Sequence, residues 1–204
     1  NTTPKKYVDL IVEAGLKWNE AFEKAGFKNA VEMKVMPDTA TWDPADIRYN
    51  VIRWVSSDLG FAIGPSFVNP RTGQILGADI TMDLGMLKHT LNEEELSSAA
   101  FGPHNFECQN EIPGNKGRHL CSIGKGKKMQ YGAAHAMISG HPNTEEELEK
   151  LSEQFITELV LHEMGHTFGL AHNMKASNML SPDELHDPSV TRKLGLTASI
   201  MDYT

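Results

Sequence analysis

The architecture of this chain is set by eleven consecutive residues, His162-Glu163-Met164-Gly165-His166-Thr167-Phe168-Gly169-Leu170-Ala171-His172. His162 and His166 are four residues apart, so on a helix their imidazoles project from one face, one turn apart. At that separation they can share one tetrahedral metal ion. Glu163 then points beside the ion, where a carboxylate can act as general base on a metal-bound water.

Gly169 predicts the end of this helix, because a residue without Cβ can take the left-handed conformation that turns the chain. With a turn there, His172 can return as a third ligand, whereas a continued helix would carry it to the wrong side. Isolated histidines on helices are usually surface or core residues. Five specified residues at fixed offsets instead predict a Zn²⁺ site on His162, His166 and His172, with one position open to water, as is typical of catalytic zinc.

The flanking sequence predicts an α+β domain around this site. Thr144 and Glu147 form a capping box that starts the site helix, and an apolar stripe continues along it through Leu148, Leu151, Phe155, Leu159 and His162. Periodicity predicts helices over 5–25 and 84–101 and strands over 31–35, 49–55 and 75–82. Residues 61–68 predict an edge strand, since a central strand would not tolerate Gly64 and Pro65 well. Residues 102–132 indicate a long surface insertion.

Composition narrows the classes of function. A length of 204 residues suits one domain, and the net charge of −8 without a basic patch argues against nucleic-acid binding. No apolar run approaches the roughly 20 residues needed to cross a bilayer. Cys108 and Cys121 are either a loop-closing disulfide or two free thiols, and the sequence leaves both open. Because the chain begins at Asn1, we expect a processed protein or a piece of a longer one.

Residues 162–172 resemble the full zinc-binding signature of the metzincins. Ser199-Ile200-Met201-Asp202-Tyr203 resembles the methionine-containing turn, the Met-turn, of the same proteins, with Met201 beneath the metal. The upstream helix and strands are similar to the upper subdomain of matrixins. The stretch from Ile63 to Leu76 more specifically resembles large, poorly characterised bacterial zinc-dependent metalloproteases.

This resemblance implies one metzincin-like catalytic domain over residues 1–204, with an upper subdomain over 1–168 and a lower one over 169–204. It implies a twisted mixed β-sheet with an antiparallel edge strand, an N-terminal backing helix, the zinc-bearing helix and a small irregular C-terminal subdomain. The strand that metzincins place before the first helix and the helix that they place after the Met-turn are missing. We therefore expect a domain excised from a longer chain.

The resemblance also implies a zinc-dependent endopeptidase, in which Glu163 assists attack of zinc-bound water on a peptide bond. Tyr203 stands two residues after Met201, the spacing at which astacins and serralysins place a tyrosine near the zinc. A protein or peptide substrate would extend along the edge strand, which comprises Ala62, Ile63, Gly64, Pro65, Ser66 and Phe67. The implied location is secreted or extracytoplasmic, at the cell surface or in the periplasm of a bacterium.

Two other functions fit the same residues. One is a zinc-containing binding or adhesion module without peptidase activity, which the presence of Glu163 disfavours, because a structural metal has no use for a base. The other is a zinc hydrolase of non-peptide amides or esters, which the spacing of the ligands does not exclude. Neither cleavage specificity nor oligomeric state can be predicted from the sequence.

Overall fold

The computed structural model describes residues 3–55, 62–83, 133–134, 137–138 and 144–203. These residues form a mixed α/β structure in which a small sheet packs against helices, as predicted. The elements in chain order are α1 (Lys5–Leu16), α2 (Trp18–Lys24), β1 (Val51–Val55), β2 (Ala62–Ile63), β3 (Ser66–Val68), β4 (Ile75–Asp83), α3 (Thr144–Thr167), a 3-10 helix (Met174–Met179), α4 (Pro182–Leu185) and α5 (Pro188–Leu194).

The N-terminal helix predicted over 5–25 is present as two helices that meet at Lys17. Lys17 keeps helical backbone angles, φ −59° and ψ −25°, and its N–H is shared between the carbonyls of Glu13 and Ala14, both at 3.2 Å. The chain therefore bends there rather than leaving the helix. The α1 helix buries Tyr7 and Ile11 and packs against α3.

Strand β4 is the centre of the sheet. β1 runs parallel to it with Val51 opposite Asp79, while β2 and β3 run antiparallel to its other side. The predicted edge strand is thus two short strands separated by Gly64 and Pro65. Proline has no N–H to donate, although the Pro65 carbonyl still accepts a hydrogen bond from Asp79 N at 3.2 Å.

The prediction of a strand over residues 31–35 is wrong. Residues 30–37 have no regular structure, because the side-chain amide of Asn19 occupies the place of a partner strand at Val31. Asn19 Nδ2 donates to Val31 O and Val31 N donates to Asn19 Oδ1, each at 2.9 Å. Val31 and Met33 still pack against the core, but Val35 is 54% exposed, so the alternation predicted burial for two of its three apolar residues and did not predict strand pairing.

The core lies between the sheet and the helices α1 and α3. Trp54 from β1 stacks on Tyr7 from α1, with ring centroids 5.9 Å apart. The buried face of α3 contributes Phe155, Ile156, Leu159, Val160 and Met164. Burial of side chains of this size stabilises a fold by about 1.5–3 kcal/mol each, so this face fixes the rotation of α3 about its axis. His162 and Glu163 thereby face β2 and the C-terminal segment.

Some predictions lie outside the described residues. These are the helix over 84–101, the insertion over 102–132, and the state of Cys108 and Cys121. The helix α3 begins at the predicted Thr144, but the side chain of that residue is not described, so its capping box stays a prediction. Within the ranges that are described, no helix is both long enough and apolar enough to cross a membrane.

Candidate metal centre

The last two turns of α3 carry the first two histidines. His162 and Glu163 are fully buried, and the rings of His162 and His166 lie edge to face with centroids 4.8 Å apart. His162 continues the apolar face that holds α3 against the sheet, so its position is fixed by the packing of the whole helix. His166, one turn later, is half-buried at the end of that face.

Gly169 ends α3 and turns the chain, as predicted. Its φ is +88°, Gly169 N donates to His166 O at 2.9 Å, and Leu170 N donates to Gly165 O at 3.0 Å. This pair of bonds is a Schellman motif, which requires the left-handed conformation that glycine takes at no steric cost. The chain after Leu170 therefore runs back past the helix end and brings His172 to the other two histidines.

The three imidazoles converge on one point. One donor atom from each of His162, His166 and His172 lies within 4.8 Å of the others, and His166 Nε2 and His172 Nε2 are 3.0 Å apart. Two nitrogens bound to one tetrahedral zinc at about 2.0–2.1 Å stand roughly 3.3 Å apart. The donor set and spacing therefore fit a zinc ion. No other group of metal-binding side chains occurs among the described residues.

Backbone carbonyls hold two of these rings from behind. His162 Nδ1 lies 2.7 Å from Ile200 O, and His166 Nδ1 lies 2.9 Å from Leu170 O. A carbonyl oxygen only accepts, so each Nδ1 carries the proton and each Nε2 presents a lone pair. Burial, assisted by the neighbouring His166, lowers the pKa of His172, which favours the neutral form that binds a metal.

Glu163 is a buried carboxyl group beside these rings. Neither of its oxygens has a hydrogen-bond partner among the residues that the structure describes. Burial raises its pKa to about 7, and the approaching backbone amide of Gly64 offsets part of that rise. A buried carboxyl group left without a partner is costly and calls for a functional reason. A pKa near neutrality suits a group that takes up and releases a proton.

The turn after α5 lies beneath α3. Met201 is buried, and a Cβ built on Gly165 would overlap its Sδ. The phenol oxygen of Tyr203 lies 2.9 Å from His172 Nε2. Met201 thus packs against α3 at Gly165, one residue before His166, and Tyr203 lies against His172. The roles that the family resemblance implies for these two residues stay predictions.

The predicted substrate strand borders the site. β2 packs against α3, Ala62 is fully buried, and the backbone of Gly64 lies against Glu163. Further along, the side chain of Phe67 is 47% exposed. Binding of a substrate along residues 62–67 stays a prediction.

Sequence reasoning missed a hydrogen-bonded cluster around Asp202. The Asp202 carboxylate is buried and accepts hydrogen bonds from Ser177 Oγ at 2.5 Å and Thr197 Oγ1 at 2.8 Å. Asp202 directly follows Met201, which could have drawn attention to it. Nothing in the sequence pairs it with a serine 25 positions earlier.

Comparison with known protein families agrees with this geometry. Residues 144–204 match a family model described as Met-zincin. This segment is of the metzincin type. The match to the metzincin model covers α3, the three histidines, Met201 and Tyr203, and it does not extend to residues 1–143. Comparisons with curated proteins and with solved structures find no match.

Proposed function

We propose that this protein is a zinc-dependent endopeptidase. The single observation that carries the proposal is the convergence of three imidazoles beside a buried carboxyl group, Glu163, that has no hydrogen-bond partner among the described residues. A purely structural metal site needs the imidazoles but not that carboxyl group. The family match supports a metallopeptidase, and the peptidase mechanism is our proposal.

His162, His166 and His172 would hold Zn²⁺ through their Nε2 atoms. When bound, the ion supplies Lewis acidity and lowers the pKa of water at the site. The chain's contribution is to keep the rings neutral and oriented, through the carbonyls of Ile200 and Leu170.

Glu163 is the general base and then the general acid. Its carboxylate takes a proton from water as the water oxygen bonds to the scissile carbonyl carbon. The protonated carboxyl group then gives that proton to the amine nitrogen as the C–N bond breaks. In the metal-free protein, burial raises the pKa of Glu163 to about 7, so the group is held close to the range in which it can exchange a proton.

Tyr203 provides a hydrogen-bond donor beside His172. Its phenol oxygen lies 2.9 Å from His172 Nε2, so its O–H can turn toward negative charge that develops on the substrate carbonyl oxygen. The substrate lies extended along residues 62–67, since backbone pairing with an edge strand holds a peptide without regard to its side chains.

Further parts of the proposal follow from the sequence resemblance. The chain is one catalytic domain over residues 1–204, similar to large bacterial zinc-dependent metalloproteases, and acts outside the cytoplasm. A secreted enzyme would meet protein substrates there.

A digest of a peptide library tests the proposal. The zinc-loaded protein, a chelator-treated sample and Glu163→Gln are compared, with Glu153→Gln as the matched control, since Glu153 is an exposed carboxylate on the same helix. We expect cleavage by the wild type and by Glu153→Gln, and at least a 10²-fold loss in the other two samples.

Three results would contradict the proposal. Zinc binding without cleavage of any peptide would favour a binding module. Cleavage that persists in Glu163→Gln would remove the assigned base. Hydrolysis of ester or non-peptide amide substrates alone would redirect the function to another zinc hydrolase.

A further inference from the structure

We propose that Asp202 is the positioning residue of the metal centre, and this inference rests on the proposed zinc site. Its carboxylate joins the 3-10 helix, through Ser177, to the turn that carries Ile200 and Tyr203. That turn orients His162 and Tyr203.

The carboxylate of Asp202 binds one segment that is distant in sequence and two groups that are near. Oδ2 accepts from Ser177 Oγ in the 3-10 helix and from Thr197 Oγ1 in the stretch before the turn, and Oδ1 accepts from Tyr203 N at 2.8 Å. Asp202 is only 3% exposed, so these bonds are formed away from solvent. Bonds from donors to a buried carboxylate are roughly twice as strong as neutral ones.

The segments that Asp202 joins contact the metal centre at two points. Two residues before it, the Ile200 carbonyl accepts the Nδ1–H of His162 at 2.7 Å, which fixes the tautomer of that ring. One residue after it, the Tyr203 phenol lies 2.9 Å from His172 Nε2. A shift of this short turn would therefore displace both the ring of His162 and the ring of Tyr203.

Two backbone bonds join the turn to the chain around the 3-10 helix. Asn173 N donates to Met201 O at 2.9 Å, and the bond from Ala198 N to Ala176 O is 3.3 Å long. Within the turn, Asp202 N donates to Ser199 O and Met201 N donates to Ser199 Oγ, both at 3.1 Å. The Asp202 carboxylate adds three bonds in a stretch, residues 168–203, that contains no strand and only short helices. We therefore expect the position of the Ile200 carbonyl to depend on the carboxylate.

The test compares Asp202→Ala and Asp202→Asn with the wild type by zinc affinity, measured in competition with a chromogenic chelator. Loss of groups that orient metal ligands costs about 10–100-fold in affinity. We expect at least a 10-fold loss for Asp202→Ala. Asp202→Asn should keep most of the affinity, because its amide can still accept from Tyr203 N while donating to the two hydroxyl groups.

A second readout follows the tautomer of His162 in the metal-free protein. Imidazole ¹⁵N resonances should show a hydrogen-bonded Nδ1–H for the wild type and for Asp202→Asn, and a mixture of tautomers for Asp202→Ala. If Asp202→Ala fails to fold, the Ser177→Ala/Thr197→Val double variant removes two of the three bonds and should lower the affinity in the same direction.

Asp187→Asn is the matched control. Asp187 also caps a short segment of this region, accepting from Ser189 N at 2.8 Å, but it has no bond to the turn. We expect its zinc affinity and His162 tautomer to equal the wild type. Unchanged affinity in Asp202→Ala, or an equal loss in Asp187→Asn, would overturn the inference. None of these readouts needs peptide cleavage, so they stand even if the proposed peptidase activity fails.

Discussion

Replacing Gly64 with alanine should disable the site through one added methyl group. A Cβ on Gly64 would lie 2.5 Å from the Glu163 carbonyl oxygen and 3.0 Å from its Oε2. Ordinary contact begins at 3.4 Å, so about 0.9 Å must be gained by moving β2 or Glu163. A displacement near 1 Å in a catalytic group costs about 10²-fold in rate. We therefore expect kcat for peptide cleavage to fall about 100-fold, with one zinc per chain retained.

The change in stability should be small by comparison. Gly64 has no positive φ, so alanine is allowed there and restricts the unfolded chain, which stabilises by about 0.4–1 kcal/mol. Overpacking costs about 1–3 kcal/mol, so the two effects together leave a net loss between about 0 and 2.6 kcal/mol. The control is Gly73→Ala at the hairpin tip, where a Cβ meets nothing within 4 Å and only backbone strain results. If Gly64→Ala keeps wild-type kcat, or Gly73→Ala loses as much, the contact with Glu163 does not position the base.

Three further predictions concern stability. Gly165→Ala should lower Tm although alanine favours helix, since its Cβ overlaps the buried Met201 Sδ and overpacking costs about 1–3 kcal/mol; an unchanged or higher Tm would show that Met201 moves aside freely. Burial opposes ionisation of Asp202, but its hydrogen bonds outweigh burial and lower its pKa. The ionised carboxylate therefore stabilises the fold above the unfolded-state pKa of about 4, and this stabilisation is lost as the pH falls through the pKa of the folded state. Urea titrations of the metal-free protein should show that the free energy of unfolding falls less on acidification for Asp202→Asn than for the wild type. Equal decreases would contradict the lowered pKa of Asp202. Asn19→Ala removes both bonds to Val31 and should lower the free energy of unfolding by about 1–3 kcal/mol in urea, whereas no change in midpoint would show that the loop is held elsewhere.

The metal centre could be predicted from sequence because its geometry is local. Spacing on one helix places His162 beside His166, and a single glycine, Gly169, determines where His172 returns. These relations depend on helix pitch and on one backbone conformation, and neither needs knowledge of the rest of the fold. The presence of Met201 and Tyr203 near the site came from the family resemblance instead.

The features that sequence reasoning missed are set by contacts between distant residues. Residues 31–35 alternate as a strand does, yet Asn19 satisfies the backbone that a neighbouring strand would have paired. The partners of Asp202 lie 5 and 25 residues away on irregular backbone, where no period relates them. Such side-chain hydrogen bonds can be identified only from the three-dimensional structure.

X-ray absorption spectroscopy of the zinc-loaded protein tests the central claim most directly. We predict about three imidazole nitrogens at roughly 2.0–2.1 Å and one further light atom from solvent, with one nitrogen lost in His172→Ala. Sulfur at about 2.3 Å, a fourth protein ligand, or a first shell unchanged by His172→Ala would contradict an open site made by His162, His166 and His172.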